Sequence, residues 1–155
     1  MTVIGTPRVY QPKFKFTVSI DGFGAAAFQS CSEIAGEHAD IDQWEGGVII
    51  PDKQPGRLTI PDVTLMRGAT SDRDMFDWFN ETTNAAKGTG AAVPVFKRMV
   101  DVQQRDRTGA VVKVWRLFNA WPKRFSAGDW DNTADANVIE TLVLRYDFFG
   151  LPRNS

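Results

Sequence analysis

Residues 13–20, Lys-Phe-Lys-Phe-Thr-Val-Ser-Ile, alternate without exception. Phe14, Phe16, Val18 and Ile20 fall on one side, and Lys13, Lys15, Thr17 and Ser19 on the other. Side chains of a strand point to opposite faces in turn, so this pattern predicts a half-buried antiparallel strand. Such a strand needs a partner for its backbone and an apolar layer for its inner face. Asp21-Gly22-Phe23-Gly24 supplies a tight turn, and residues 25–34 read as the strand that runs back.

The remaining segments extend that theme. Residues 37–44 alternate weakly, with His38, Asp40 and Asp42 against Ala39 and Ile41, and read as a charged edge strand ended by Gly46-Gly47. Residues 48–56 hold Pro51 and Pro55 around Val48-Ile49-Ile50 and read as a long exposed excursion. Residues 57–67 form a strand in which Pro61 implies a bulge or an edge position. One helix follows. Thr70 or Ser71 can cap it, and Asp72 and Asp74 stand where the helix dipole favours acids. Met75, Phe76, Trp78 and Phe79 give an apolar stripe; Asn84 and Gly88-Thr89-Gly90 end it. Residues 93–105 and 110–121 flank the turn Asp106-Arg107-Thr108-Gly109, with Pro122 as the stop of the second strand. A polar loop around Trp130 and a last strand over 136–148 complete the chain. Residues 1–12, with Gly5, Pro7 and Pro12, read as an extended arm, and 13–155 as a single domain. The sum is a mainly β fold of six or seven strands, a barrel or two packed antiparallel sheets, with one flanking α-helix.

The chemistry-bearing residues are sparse. One cysteine, Cys31, excludes an intrachain disulfide, and one histidine, His38, excludes a zinc site built on two. Eighteen basic against nineteen acidic residues give a net charge of −1, which argues against a dedicated nucleic-acid binder. The longest run free of charged residues, 22–32, is far short of the ~20 needed for a membrane helix. Nothing at the start of the sequence reads as a signal peptide, so a soluble protein made in the cytoplasm is expected.

A nucleophile and base from Cys31 and His38 would make a small β-barrel hydrolase, but a strand cysteine is more often a buried hydrophobe. Asp129-Trp130-Asp131-Asn132-Thr133-Ala134-Asp135 has Ala134 where a calcium loop needs glycine, and reads as a polar loop with capping aspartates. Asp72 and Asp74 read as helix-start acids rather than an acid/base pair. Gly22-x-Gly24 and Gly88-x-Gly90 lack the rest of any phosphate-binding fingerprint. Lys97-Arg98, Arg105, Arg107, Lys113 and Arg116 lie on one predicted hairpin and read as a solvated or interface face. No enzyme, cofactor or metal site is expected. Five tryptophans and eleven phenylalanines lean towards assembly, since aromatics concentrate in interfaces.

Taken in order, the motifs resemble the tail tube protein of contractile phage tails and related contractile injection systems. They are Phe14-Lys15-Phe16-Thr17-Val18-Ser19-Ile20-Asp21-Gly22, then Phe28 leading to Cys31-Ser32, then Glu45-Gly46-Gly47. Val63-Thr64-Leu65-Met66-Arg67-Gly68 follows, with Asp72 and Trp78. Then come Trp115-Arg116-Leu117-Phe118-Asn119-Ala120-Trp121-Pro122 with Lys123-Arg124-Phe125, and Ile139-Glu140-Thr141-Leu142. The chain departs from the family at Ser32-Glu33-Ile34, where Ser-Gly-Leu is usual, and at Arg145-Tyr146-Asp147, where His-Glu-Gly is usual.

The resemblance implies a structural subunit: hexameric rings joined edge to edge and stacked into a hollow conduit for DNA or protein cargo. Its implied partners are itself, a contractile sheath protein, a baseplate hub or spike, a tail cap or terminator, and a tape-measure protein or cargo in the lumen. It implies no membrane insertion, and assembly in a virion tail or injection particle. Glu45, Gly46, Gly47, Val48, Ile49 and Ile50 would reach the neighbouring subunit or ring, with Arg67 and Gly68 turning the chain into the helix beside that joint. A ring-forming secreted tube protein of a type VI secretion system is the alternative.

Overall fold

A computed structural model describes residues 15–26, 28–69, 72–86, 96–128, 130–133 and 137–153. The arm 1–12, residues 13 and 14, the caps Thr70 and Ser71, the Gly88-Thr89-Gly90 segment and the start of the strand at 93 lie outside these residues. So do Asp129 and residues 134–136 of the acidic loop.

The described residues form ten strands and one helix. The strands are β1 (Phe16–Ile20), β2 (Gly24–Ala26), β3 (Ser30–Cys31), β4 (Glu37–Gln43), β5 (Asp52–Thr59), β6 (Val63–Gly68), β7 (Arg98–Arg105), β8 (Val111–Ala127), β9 (Ile139–Arg145) and β10 (Phe148–Gly150). The helix, α1, is Asp74–Ala86. Eight strands pair antiparallel in the order β2-β1-β7-β8-β9-β6-β3, with β10 added on β8. The two end strands, β2 and β3, are neighbours in the chain. Ala26 and Ser30 are four residues apart, so the ends of the sheet stand at most about 14 Å from each other. A sheet tied at both ends by so short a link must curl into a barrel.

Five expectations change. The returning strand over 25–34 is split: β2 pairs β1 while β3 pairs β6, because the chain crosses here from one end of the sheet to the other. The excursion over 48–56 is largely an arm of a hairpin, since β5 starts at Asp52 and pairs β4. The strand over 57–67 breaks between Thr59 and Val63, where Pro61 has no N–H to give a ladder. Pro122 does not stop its strand. β8 runs on to Ala127, exchanging β7, which it leaves at Ala120, for β9, which it joins at Trp121. Proline is tolerated there because it lies where partners change and beside a bulge at Lys123.

That exchange is the corner of the barrel. Asn119 holds φ at 54°, a left-handed conformation rare outside glycine. Its side-chain amide donates to Asp147 Oδ2 at 2.9 Å, and the Asp147 N–H donates to the Phe118 carbonyl at 3.0 Å. Residues 146–147 likewise break the last predicted strand into β9 and β10, which lie successively along β8.

Inside the barrel the alternation holds. Val18 and Ile20 meet Val100, Val102 and Leu117 from the β1-β7-β8 side. Val63, Leu65, Leu142 and Leu144 come from the β6-β9 side. The helix covers one flank: Asp72 Oδ1 accepts the Asp74 N–H at 3.1 Å, a cap for the first turn. Asp74's carboxyl is pushed up, first by burial and then by the charge of Asp72. Met75 and Trp78 are buried, and the Trp78 indole N–H donates to the Phe96 carbonyl at 2.6 Å. Phe76 and Phe79 pack on Phe125 of β8.

Leu117 is fully buried at the centre of this core. Leu117→Ala should lower stability by about 2–5 kcal/mol, from lost transfer and the cavity left behind. Ile49→Ala, at a residue outside the core, should stay within about 0.5 kcal/mol. Urea midpoints of the two variants check the contrast.

Candidate subunit interface

β4 and β5 form a two-stranded sheet of their own. Its register runs from Glu37↔Thr59 and His38↔Leu58 to Gln43↔Asp52, with a shift between His38 and Asp40. Ala39 there faces two residues of β5, and Gly56 is one of them. A Cβ on Gly56 would stand 2.9 Å from the Ala39 carbonyl oxygen, so only glycine lets the strands approach this closely. At the root, a Cβ on Gly36 would meet the Phe149 ring at 3.2 Å and Leu58 at 3.7 Å. Phe149 packs in turn on Trp115 of β8. The hairpin is thus seated on the barrel at its base.

The tip is built by Glu45-Gly46-Gly47-Val48. The Val48 N–H donates to the Glu45 carbonyl at 3.1 Å, and Gly47 holds φ at 87°. A positive φ at the third position of such a turn is where glycine costs least. The turn presents Val48, Ile49 and Ile50 to solvent: Ile49 is 92% exposed and Ile50 75% exposed. Trp44 is 65% exposed, and Ile41 is exposed as well. Exposed apolar groups of this kind are the usual material of interaction surfaces. Every described residue of β4 is exposed, and in β5 only Gly56 is partly covered.

The structure therefore brings Glu45, Gly46, Gly47, Val48, Ile49 and Ile50 together at one tip. Arg67 is elsewhere, on β6, and turns inward with 6% exposure. Its Nε donates to Glu140 Oε2 at 3.2 Å, and its guanidinium lies 5.7 Å from the centre of the Phe28 ring. Gly68 ends β6, opposite Ile139. Sequence reasoning missed Ile41 and Trp44 as parts of the exposed group. Their signal was two large apolar side chains within an otherwise charged stretch.

The nucleophile reading fares differently. Cys31 is half-buried, its thiol donates to the Ser32 carbonyl at 3.3 Å, and burial pushes it up to about 11. A nucleophilic thiol needs the opposite shift. In the acidic loop, Asp131 Oδ1 accepts from the Thr133 N–H and hydroxyl, as a capping aspartate does. No helix among the described residues is long and apolar enough to cross a membrane.

Comparison with known proteins gives a consistent picture. The family model of the T4-like virus tail tube protein gp19 matches residues 12–149. No curated protein matches the chain. Among solved structures, a chain of the extended-state sheath–tube complex of an extracellular contractile injection system, PVC, is 22% identical. It superposes with a TM-score of 0.74 over 92% of this chain and 91% of that one. A chain of the anti-feeding prophage tube-terminating cap is 20% identical, with a TM-score of 0.75 over 96% and 95%. A type six secretion system protein shares the fold at 8% identity and a TM-score of 0.56, over 89% and 82%.

Two outcomes follow from the geometry. Gly56→Val should unseat β5 from β4 and speed hydrogen exchange of the hairpin amides, leaving the amides of β7 and β8 unchanged. At pH 8, alkylation of native Cys31 should run roughly a hundredfold slower than in denaturant, because its raised pKa leaves less thiolate. The gap should narrow as pH rises towards 11.

Proposed function

The chain belongs to the family of the T4-like virus tail tube protein gp19, and we infer from its geometry how it serves as a structural subunit of an inner tube. The tube is that of a contractile tail or injection system. Copies of the subunit close into rings, and the rings stack into a hollow conduit. The observation that carries this reading is the hairpin of β4 and β5: a whole two-stranded sheet, exposed along both strands, with isoleucines at its tip that its own barrel leaves uncovered.

Covering Ile49 and Ile50 on a neighbour would contribute about 1.5–3 kcal/mol for each side chain. The free edges of β4 and β5 are a liability in a lone molecule and an asset in an assembly that occupies them. A head-to-tail contact that closes gives a ring. Glu45 and Gly46-Gly47 set the turn; Val48, Ile49 and Ile50 make the contact. Arg67 and Gly68 act from inside, fixing β6 against β9 ahead of the helix.

The partners we assign are further copies of this chain, a contractile sheath and a tube-terminating cap, the assemblies named for similar chains. A baseplate hub, a tape-measure protein and cargo complete the set. The chain carries out no catalysis in this role, and it works in a virion tail or an injection particle. The tail tube family is favoured over the type VI alternative, whose similar structure is the more distant in both sequence and superposition.

Electron microscopy of the purified protein should show rings or tubes. Ile49→Asp with Ile50→Asp should abolish them while leaving thermal unfolding of the subunit within a few degrees. Strict monomers of the unaltered protein at high concentration, with sheath and baseplate present, would contradict the reading.

A further inference from the structure

The charges of this nearly neutral chain are sorted by place. Among the described residues, the ion pairs are Arg67–Glu140, Arg73–Asp77, Arg98–Glu81, Arg116–Asp101, and Lys123 and Arg145 on Asp62. All of them lie in the barrel or at the helix. None involves the β4–β5 hairpin, and none involves the turn between β7 and β8.

Outside these pairs, two exposed places carry opposite net charge. The hairpin carries Glu37, Asp40, Asp42, Glu45 and Asp52 against Lys53 and Arg57, a net charge of −3 on residues 37–59. The turn end of β7 and β8 carries Lys15, Arg105, Arg107 and Lys113 against Asp106, a net charge of +3. Asp106 is committed to the turn, accepting from the Thr108 N–H and hydroxyl and the Ala110 N–H. Among the described residues, Arg105 donates to neutral acceptors: Thr17 Oγ1, the Gly109 carbonyl and Gln103 Oε1. Lys15 Nζ donates to the Arg107 carbonyl at 3.4 Å, and Lys113 Nζ stands 5.1 Å from the centre of the Trp115 ring. Val111, beside them, is an exposed apolar side chain.

We propose that the acidic hairpin of one copy seats on the cationic β7–β8 turn of a neighbouring copy. The contact makes assembly directional. Two hairpins repel, two turns repel, and only hairpin on turn is attractive, so a polar chain of contacts forms in preference to a symmetric pair. Both surfaces are exposed, so the attraction is screened by salt and works chiefly through orientation and rate of encounter. Ile49 and Ile50 then bury area that the charges have aligned. This inference rests on the tube reading and names the surface that receives the hairpin.

The test is a charge exchange. Asp40→Lys with Asp42→Lys turns the hairpin positive, and Arg107→Glu with Lys113→Glu turns the receiving end negative. All four positions are exposed, so circular dichroism and melting of the subunit should hold. Each pair alone should raise the concentration at half-assembly at least about tenfold at low salt. The four changes together in one chain should restore it. Separate rings in micrographs of a single-pair variant would put the contact between rings. Separate subunits would put it within a ring, and either supports the proposal. Unaltered assembly of both single-pair variants, or no rescue in the combined variant, would overturn this contact and leave the tube reading standing. Absence of assembly by the unaltered protein at every salt concentration would overturn both.

Discussion

A seventeen-residue strand, β8, cannot keep one neighbour along a sheet that twists and curls. Its change of partner, from β7 to β9, joins the two halves of the sheet into one barrel. The left-handed Asn119, the Asn119–Asp147 hydrogen bond and the bulge at Lys123 let the strand bend at that point. With β8 shared, a single ladder of strands encloses Leu117, Leu142, Val100 and Leu65 in one core. The helix closes the flank through Trp78 and Phe125.

A core completed in this way has no place for β4 and β5. They are seated on it at the root, where Gly36 lies close to both Phe149 of the barrel and Leu58 of β5. Beyond the root, the hairpin holds itself together by its own ladder and by Gly56, which lets the strands come close. A two-stranded sheet is marginal in water by itself. Occupation of its edges and its apolar tip by another copy would stabilise both the hairpin and the assembly. Folding and assembly are then consecutive uses of the same strand physics.

Much of the barrel was legible in the sequence. The alternation around Val18 and Ile20, the apolar faces of β8 and the acid-rich start of the helix all follow from period and composition. The places that were not legible are those where the chain changes partner. Nothing in Ala25 to Cys31 shows that two short strands serve opposite ends of a sheet, since that depends on residues far away. Pro122 carries the ordinary mark of a strand end, overridden here by a tertiary pairing with β9. At the hairpin tip, the Gly-Gly turn and the isoleucines were visible as a misplaced apolar group. The part played by Gly56 was not, because it depends on the bulge opposite Ala39. Arg67 stood out as part of a motif, but only its burial against Glu140 and Phe28 shows the work it does.

Amide hydrogen exchange, compared between dispersed subunits and the assembled polymer, reads out whether neighbouring copies cover the hairpin. Residues 37–59 should gain the largest protection on assembly, with the amides of the barrel core already slow in both states. Equal exchange of the hairpin in the two states, with new protection confined to other surfaces, would contradict it.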